Sequence, residues 1–589
     1  MTIDTATDPP PSTPDTSRPA LAAVGPILVG CAITLIVHGY QFGLSNHSVY
    51  LIDALRKADP ALLANDWFYT RTLQYHSVFG WLTAGLLRAG VLEGAFVAIY
   101  GLLVLGLHVA WRSIARSLGA DDRAYLLSVV LYAASAGGLG LGAYQFLQDS
   151  AVLASNVANV AMLAGVAAIL RTRWIAAGAI LGVAGLFHLN HAVVACLLWA
   201  FVGLWSNRLS VRWFDGRFVA GSILVAGGCL ANLVPAAVAK LGHPETMPLA
   251  DWVDLFVRLR HPHHYDPSSW PAALWLAFAI WIVPAAVSLA WLNRKSHVAV
   301  RNSEPPPRPP PGVPVTAVIG FFLSLQIVAL VFAGLIYVSE TLVQMSLYRF
   351  SIIPHLMMVT LSALLLLRVR AIAWVLPLLL AFALVAALMS PMGDVVRQRI
   401  GPIAAVIVLA TAPAAWPAIR RRGLGLPVGI AAIAAVLVGW RAVAGLTMPL
   451  VKPDQDYLAL CAWAQANTPG DAVFLVPPYE EAFRWHARRA IVINWKSPPQ
   501  LAGELPGWRD RMAATLGWEN LDPLPRGSYL RAVEAMKSRY EEVPPDLLVA
   551  AAAKYGARYV VATRDLGPES APRRVSPRFG RYLLYNLTR

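Results

Sequence analysis

From residue 21 to residue 446 the chain is a succession of helix-length apolar runs, broken by short polar stretches that carry arginine. Residues 447–589 follow another rhythm, with apolar positions alternating or bunching in short runs between charged turns. A helix needs about twenty apolar residues to cross the hydrocarbon core of a bilayer, and counting such runs gives about thirteen crossings. The pattern predicts a polytopic α-helical membrane protein (about thirteen transmembrane helices) with a C-terminal extracytoplasmic α/β domain. The basic breaks include Arg112, Arg116 and Arg123, then Arg171 and Arg173, Arg294 and Lys295, and Arg420, Arg421 and Arg422. They recur after even numbers of crossings, and basic loops stay on the cytoplasmic side. The expected placement is multi-pass in the inner (plasma) membrane, with the N-terminus cytoplasmic and the C-terminal domain periplasmic or extracellular.

Residues 1–20 are rich in Pro, Thr, Asp and Ser without a basic n-region, which predicts a disordered cytoplasmic tail and not a cleaved signal. Residues 21–446 form the membrane domain. The Pro-rich run at 303–314 cannot be helical and reads as an extended cytoplasmic linker between two halves of it. The segment 174–205 is short for two crossings and predicts a hairpin of short legs, with Phe187-His188-Leu189-Asn190-His191 at its tip. Within 447–589, Asp454 is placed to cap a helix reaching about Asn467. Strands are expected at 472–476, 490–494, 558–563 and 581–587, and helices at 526–540 and 546–555.

Composition narrows the class further. At 57% hydrophobic and 14% charged, the chain lies outside soluble usage. Its net charge of +15 belongs mostly to arginines beside apolar runs, and no basic helix or aromatic RNA-type motif accompanies it, so no nucleic-acid partner is expected. The four cysteines show no CxxC or metal-ligand spacing, and no GxGxxG or GxxxxGK calls for nucleotide phosphates.

An ionisable group at membrane depth costs at least roughly 2.5 kcal/mol, so those on the outer half of the bundle are candidates for function. The first outer loop holds Asn46, His47, Asp53, Asp59 and Asp66, followed by Tyr75-His76. Val49, Ile52 and Leu55 repeat at helical spacing there, which predicts an interfacial helix whose solvated face accounts for Arg56, Lys57 and Asp59. Asp66 sits in the aromatic run Asn65-Asp66-Trp67-Phe68-Tyr69. Gln145, Gln148 and Asp149 form a second group, with Asn156 and Asn159 further in, although Asp149 also suits a helix cap. His188, Asn190 and His191 form a third, able to line a polar cavity or to serve as structural donors. The loop 240–270 brings His243, Glu245, Asp251 and Asp254, and the run His261-Pro262-His263-His264-Tyr265-Asp266. That run lacks zinc-site spacing and reads as a solvated loop. Glu340 and Arg349 bracket a later outer loop. Arginine's planar fork matches phosphate oxygens, while an interface anchor is the alternative.

This arrangement resembles the GT-C superfamily of membrane glycosyltransferases. The tail carries the most specific match, in Asn467-Thr468-Pro469-Gly470-Asp471-Ala472, Lys554-Tyr555-Gly556-Ala557-Arg558-Tyr559-Val560-Val561 and Tyr582-Leu583-Leu584-Tyr585-Asn586. The resemblance implies transfer of a sugar from a polyprenyl-phosphate carrier to an extracytoplasmic acceptor, with inversion. It implies Asp53 and Asp66 as catalytic carboxylates, and Arg349, His188, His191, Glu340 and Asp149 as substrate-binding residues. An optional divalent cation, magnesium or manganese, would fall to Asp53, Asp66, Asp149 and Glu340. Val338-Ser339-Glu340 stands where the oligosaccharyltransferase subgroup has a similar motif, but that subgroup's Trp-Trp-Asp in the tail and DxD in the second loop are missing, so protein N-glycosylation is not implied. Two rival classes are a transporter or flippase, which would line a polar path across the midplane, and a non-catalytic scaffold of envelope assembly built on the same architecture.

Overall fold

The computed structural model describes residues 17–135, 138–209, 215–242, 247–301, 313–368, 454–567 and 573–587. The basic run at Arg420, the spans expected beyond residue 368, the 446/447 boundary, His243 and Glu245, and most of the 1–20 tail and of the Pro-rich linker lie outside those residues.

Among the described residues, five helices are long and apolar enough to cross a membrane: Leu92–Ser117, Gly216–Gly242, Leu274–Leu292, Val315–Leu335 and Glu340–Arg368. A sixth crossing results if Leu141–Ser150 and Ala154–Ile169, bent by 106°, act as one broken span. Val24–His38, Trp174–Phe187 and Leu189–Trp205 are apolar but shorter. The expected thirteen crossings are not reached here. Part of that count rests on residues 369–446, and part on apolar runs that fold as short or broken helices.

The hairpin expected at 174–205 is the pair Trp174–Phe187 and Leu189–Leu209, parted at His188 by one extended residue. Its first leg packs on Gly216–Gly242 through glycine. A Cβ at Gly178 would lie 2.3 Å from the Gly221 carbonyl oxygen, and one at Gly182 2.5 Å from that of Leu224. Small residues let helix backbones close where lipid gives no hydrophobic drive for association. The helix 216–242 turns Leu230, Val234, Val238 and Leu241 outward.

The helix His47–Ala58 forms where the apolar spacing placed it, burying Leu51, Ile52, Ala54 and Leu55. It is not a free interfacial helix, because it packs between Ser77–Arg88 and the tail helix Phe483–Ala487.

In the tail, Asp454 caps Gln455–Asn467 by accepting from the N–H groups of Asp456 (3.0 Å) and Tyr457 (3.3 Å). Strands β1 (Val473–Leu475), β2 (Ala490–Ile491), β3 (Tyr559–Ala562), β4 (Arg573–Arg574) and β5 (Leu583–Asn586) form one sheet in the order β2-β1-β3-β5-β4. β1 runs parallel to β2 and β3, and β5 lies antiparallel between β3 and β4. Helices Tyr529–Glu542 and Pro545–Lys554 fall where the pattern placed them; Leu505–Thr515, with Pro506 and Gly507 in its first turn, gave no helical signal.

The tail does not hang free. Trp252, Val253, Phe256 and Leu259 of segment 249–260 share one core with Leu475, Trp495, Trp508, Met512 and Val560 of the tail. Each large apolar side chain so buried contributes about 1.5–3 kcal/mol, which fixes the tail against segment 249–260.

Candidate active site

Where the tail meets the loops that join the membrane helices they enclose a chamber of about 1780 Å³. A single small-molecule site occupies roughly 300–1,000 Å³, so this space exceeds one such ligand. Its wall combines the ends of the membrane helices with loops of the tail. Nine of the described lining residues are Lys or Arg and five are Asp or Glu, which makes the interior a place for anions.

Arg349 stands on the membrane side, in the turn Leu347–Ser351. It donates to His188 Nε2 (2.7 Å), and its guanidinium lies 4.5 Å from the centre of the Tyr144 ring. His264 stacks with Tyr144 at 4.6 Å and donates from Nδ1 to the Gly142 carbonyl (2.7 Å). The Tyr144 and Tyr265 hydroxyls both reach Ser346 Oγ, at 3.2 and 2.7 Å. Thus a column of imidazole, phenol and guanidinium fixes the arginine. Arg349 Nε, His188 Nδ1 and His76 Nδ1 are buried without a hydrogen-bond partner among the described residues. A planar donor so placed is suited to phosphate oxygens.

Asp149 also lines the chamber. It sits at φ 57° in the turn Gln148–Ser150, and Ser150 follows at φ 53°. Two successive left-handed non-glycine residues cost of order 1–3 kcal/mol each. Its Oδ2 accepts from the Asn46 N–H (3.1 Å), while Asn156 holds the turn through the carbonyls of Gln148 and Ala151 (2.8 Å each).

The other sequence candidates are placed differently. His191 lies behind His188, with ring centres 4.9 Å apart, and donates to Asn159 Oδ1 (2.8 Å). Glu340 pairs with Lys240, and Lys240 rather than Glu340 borders the chamber. Asp53 pairs with Lys57 one helical turn away, beside Gly80, where a Cβ would lie 2.4 Å from Asp53 Oδ2. Asp66 is fully buried. It accepts from Arg484 Nε (2.7 Å) and the Ile491 N–H (3.1 Å) and caps Trp67–Arg71, so it pins the segment after the first helix to the tail. Neither Asp53 nor Asp66 borders the chamber.

These four carboxylates therefore do not gather as a metal site would require. Asp53, Asp66 and Glu340 are each spent on a separate cation, and no group of three or more potential ligands is found among the described residues. Magnesium or manganese would want several oxygen ligands around one point, and these residues do not fit that arrangement.

The histidine run is the reverse case. Instead of a solvated loop, His261, His263 and His264 line the chamber. Burial lowers His264 to about 3, and burial with neighbouring cations and imidazoles lowers His261 and His263 well below the usual range. They are neutral hydrogen-bonding groups, and the positive character of the chamber comes from Arg and Lys.

On the tail side, Glu480 Oε1 and Asp454 Oδ2 both contact the Tyr582 hydroxyl (2.7 and 2.9 Å), and burial raises the Glu480 carboxyl. Sequence reading missed Tyr50, Tyr144, Arg260, Lys496 and Tyr529 in this chamber. Nothing local marks them, because each is one aromatic or basic residue in an ordinary stretch.

Comparison with known proteins adds the following. A family model described as a domain of unknown function, DUF6798, matches residues 455–515. No curated protein matches the chain. In overall trace the chain is similar to ArnT from Cupriavidus metallidurans in the apo state, at 15% identity and a TM-score of 0.48 over 97% of this chain and 98% of that one. The same protein bound to undecaprenyl phosphate gives 16% and 0.42 over the same shares. The Archaeoglobus fulgidus oligosaccharyltransferase, in complex with Zn and sulfate, is similar at 13% identity and a TM-score of 0.43, over 91% of this chain and 68% of that one.

Proposed function

We propose that the protein is a membrane glycosyltransferase that moves a sugar from a polyprenyl-phosphate carrier to an acceptor on the outer side of the plasma membrane. In this reading residues 1–20 and the N-terminus are cytoplasmic, 21–446 form the membrane domain, and 447–589 form the periplasmic or extracellular roof of the chamber. The observation that carries the proposal is the chamber itself, which brings an anion-seeking Arg349 and two carboxylates of the membrane part to the junction of bilayer and tail: Asp149, and Asp266, which the Ser268 N–H and hydroxyl already engage. Leu233, Ala236 and Ala237 of the lipid-exposed helix 216–242 line it as well, so a lipid-linked substrate has an apolar flank beside a polar interior.

The donor's phosphate meets Arg349, held by Tyr144 and His188. Asp149 takes the proton of the acceptor hydroxyl as that oxygen bonds to the anomeric carbon. The bond from the anomeric carbon to the phosphate oxygen breaks, and the polyprenyl phosphate leaves with the electron pair, its charge offset by the guanidinium. One displacement inverts the anomeric centre. Asp149 replaces Asp66 and Asp53 as the proposed base, because both of those are tied to cations away from the chamber.

The test uses the full chain in nanodiscs, with radiolabelled polyprenyl-phosphate sugars for transfer and undecaprenyl phosphate for binding. Asp149→Asn is expected to keep binding and lose transfer by about 10²–10⁴-fold, and Arg349→Gln to lose both. If wild type binds no undecaprenyl phosphate, or Arg349→Gln binds it equally well, the reading is wrong.

A further inference from the structure

The donor reading leaves unused a second concentration of positive charge, on the chamber wall that faces the tail. Arg260 is only 4% exposed. It donates to the backbone carbonyls of Trp495 (2.7 Å) and Lys496 (3.3 Å) and lies 5.3 and 5.2 Å from the rings of Trp495 and Tyr529. No carboxylate among the described residues forms an ion pair with it. Beside it the Lys496 ammonium borders the chamber, with Glu481 at 3.9 Å, beyond hydrogen-bond length. Glu481 is one carboxylate set against both cations, so part of their buried charge is left for what the chamber binds to offset. The 1780 Å³ volume leaves room for a second ligand beside the donor headgroup.

We propose that Arg260 and Lys496 form a second anion subsite, which holds a phosphate or carboxylate of the acceptor, so that the molecule receiving the sugar is acidic. This deepens the sugar-transfer reading and rests on it. Asp149 and Tyr50 line the same chamber as Arg349 and Lys496. An acceptor anchored at Lys496 would share the chamber with Asp149 as the base and with Tyr529 and His263 as aromatic wall.

The experiment loads the full chain in nanodiscs with saturating undecaprenyl phosphate and titrates glucose 1-phosphate, with neutral glucose as control. A parallel arm replaces the soluble probe by phosphatidic acid doped into the nanodisc, which separates a soluble acidic acceptor from a lipid one. The expected result is that at least one acidic probe binds together with undecaprenyl phosphate and that glucose does not. Lys496→Met should weaken that probe by about tenfold or more, as loss of a charge-assisted contact does, and Lys496→Arg should restore it. Undecaprenyl phosphate binding should be unchanged in both variants. The proposal is overturned if undecaprenyl phosphate displaces both acidic probes, if neither binds, or if Lys496→Met binds them as wild type does. A wild type that takes an acidic probe but no undecaprenyl phosphate would remove the donor reading and leave the second subsite standing.

Discussion

Replacing Asp66 by Asn separates two roles that the sequence alone could not distinguish. Asp66 and Arg484 are both fully buried, with oxygen and nitrogen 2.7 Å apart. Arg484 also donates to Asn494 Oδ1 (3.3 Å) and Ser497 Oγ (3.1 Å), and its guanidinium lies over Phe68 and Tyr69. Asn keeps the shape of the joint but leaves the guanidinium without a counter-charge, and breaking a buried pair in this way costs about 3–5 kcal/mol. Replacing both partners, Asp66→Leu with Arg484→Met, removes both buried charges and should recover most of that loss, since apolar substitutes for buried pairs are often neutral or better. The assay is unfolding of the purified protein followed by tryptophan fluorescence, because Trp495 and Trp508 lie in the core shared by the tail and segment 249–260. Undecaprenyl phosphate binding, measured below the transition, should survive in the double variant. If Asp66→Asn changes stability by less than about 1 kcal/mol, well under the range for a broken buried pair, and yet abolishes transfer, then Asp66 acts on substrate and the joint has been misread.

Three further outcomes follow from the same geometry. Because burial holds His264 neutral with its pKa lowered to about 3, it contributes stability above its ordinary 6.5 that is lost as the pH falls toward 3; at pH 5 the loss is about 2 kcal/mol, and the unfolding midpoint of His264→Gln should fall less steeply below pH 6.5. Glu480 is shifted the other way, so its neutral form contributes stability at low pH that is lost as the pH rises through its raised pKa, above the ordinary 4.5; Glu480→Gln should gain on wild type as the pH rises past that point in the same melt. Gly182→Ala would bring a Cβ to 2.5 Å from the Leu224 carbonyl, and thermal unfolding should show a loss of about 1–3 kcal/mol from the forced helix separation.

How much was legible beforehand differs from element to element. The helix His47–Ala58, the cap at Asp454, the break at His188 and the strands at 473–475 and 559–562 were all visible in sequence, because each is set by neighbours within a few residues. The bend between Leu141–Ser150 and Ala154–Ile169 was not, since an apolar run records only that it is buried and not whether it stays straight.

Sequence by itself determined that this chain needs a bilayer, since hydrocarbon-length apolar runs have no other stable environment. It also marked Asp66, Asp149 and Arg349 as groups too costly to be incidental, though not Arg260 or Lys496. Only the tertiary structure decided their partners. Asp66 meets Arg484, 418 positions along the chain, and becomes a joint, while Asp149 and Arg349 meet over one chamber with Lys496 of the tail. Electrostatic roles depend on distance and burial in space, and neither quantity is written in the order of residues.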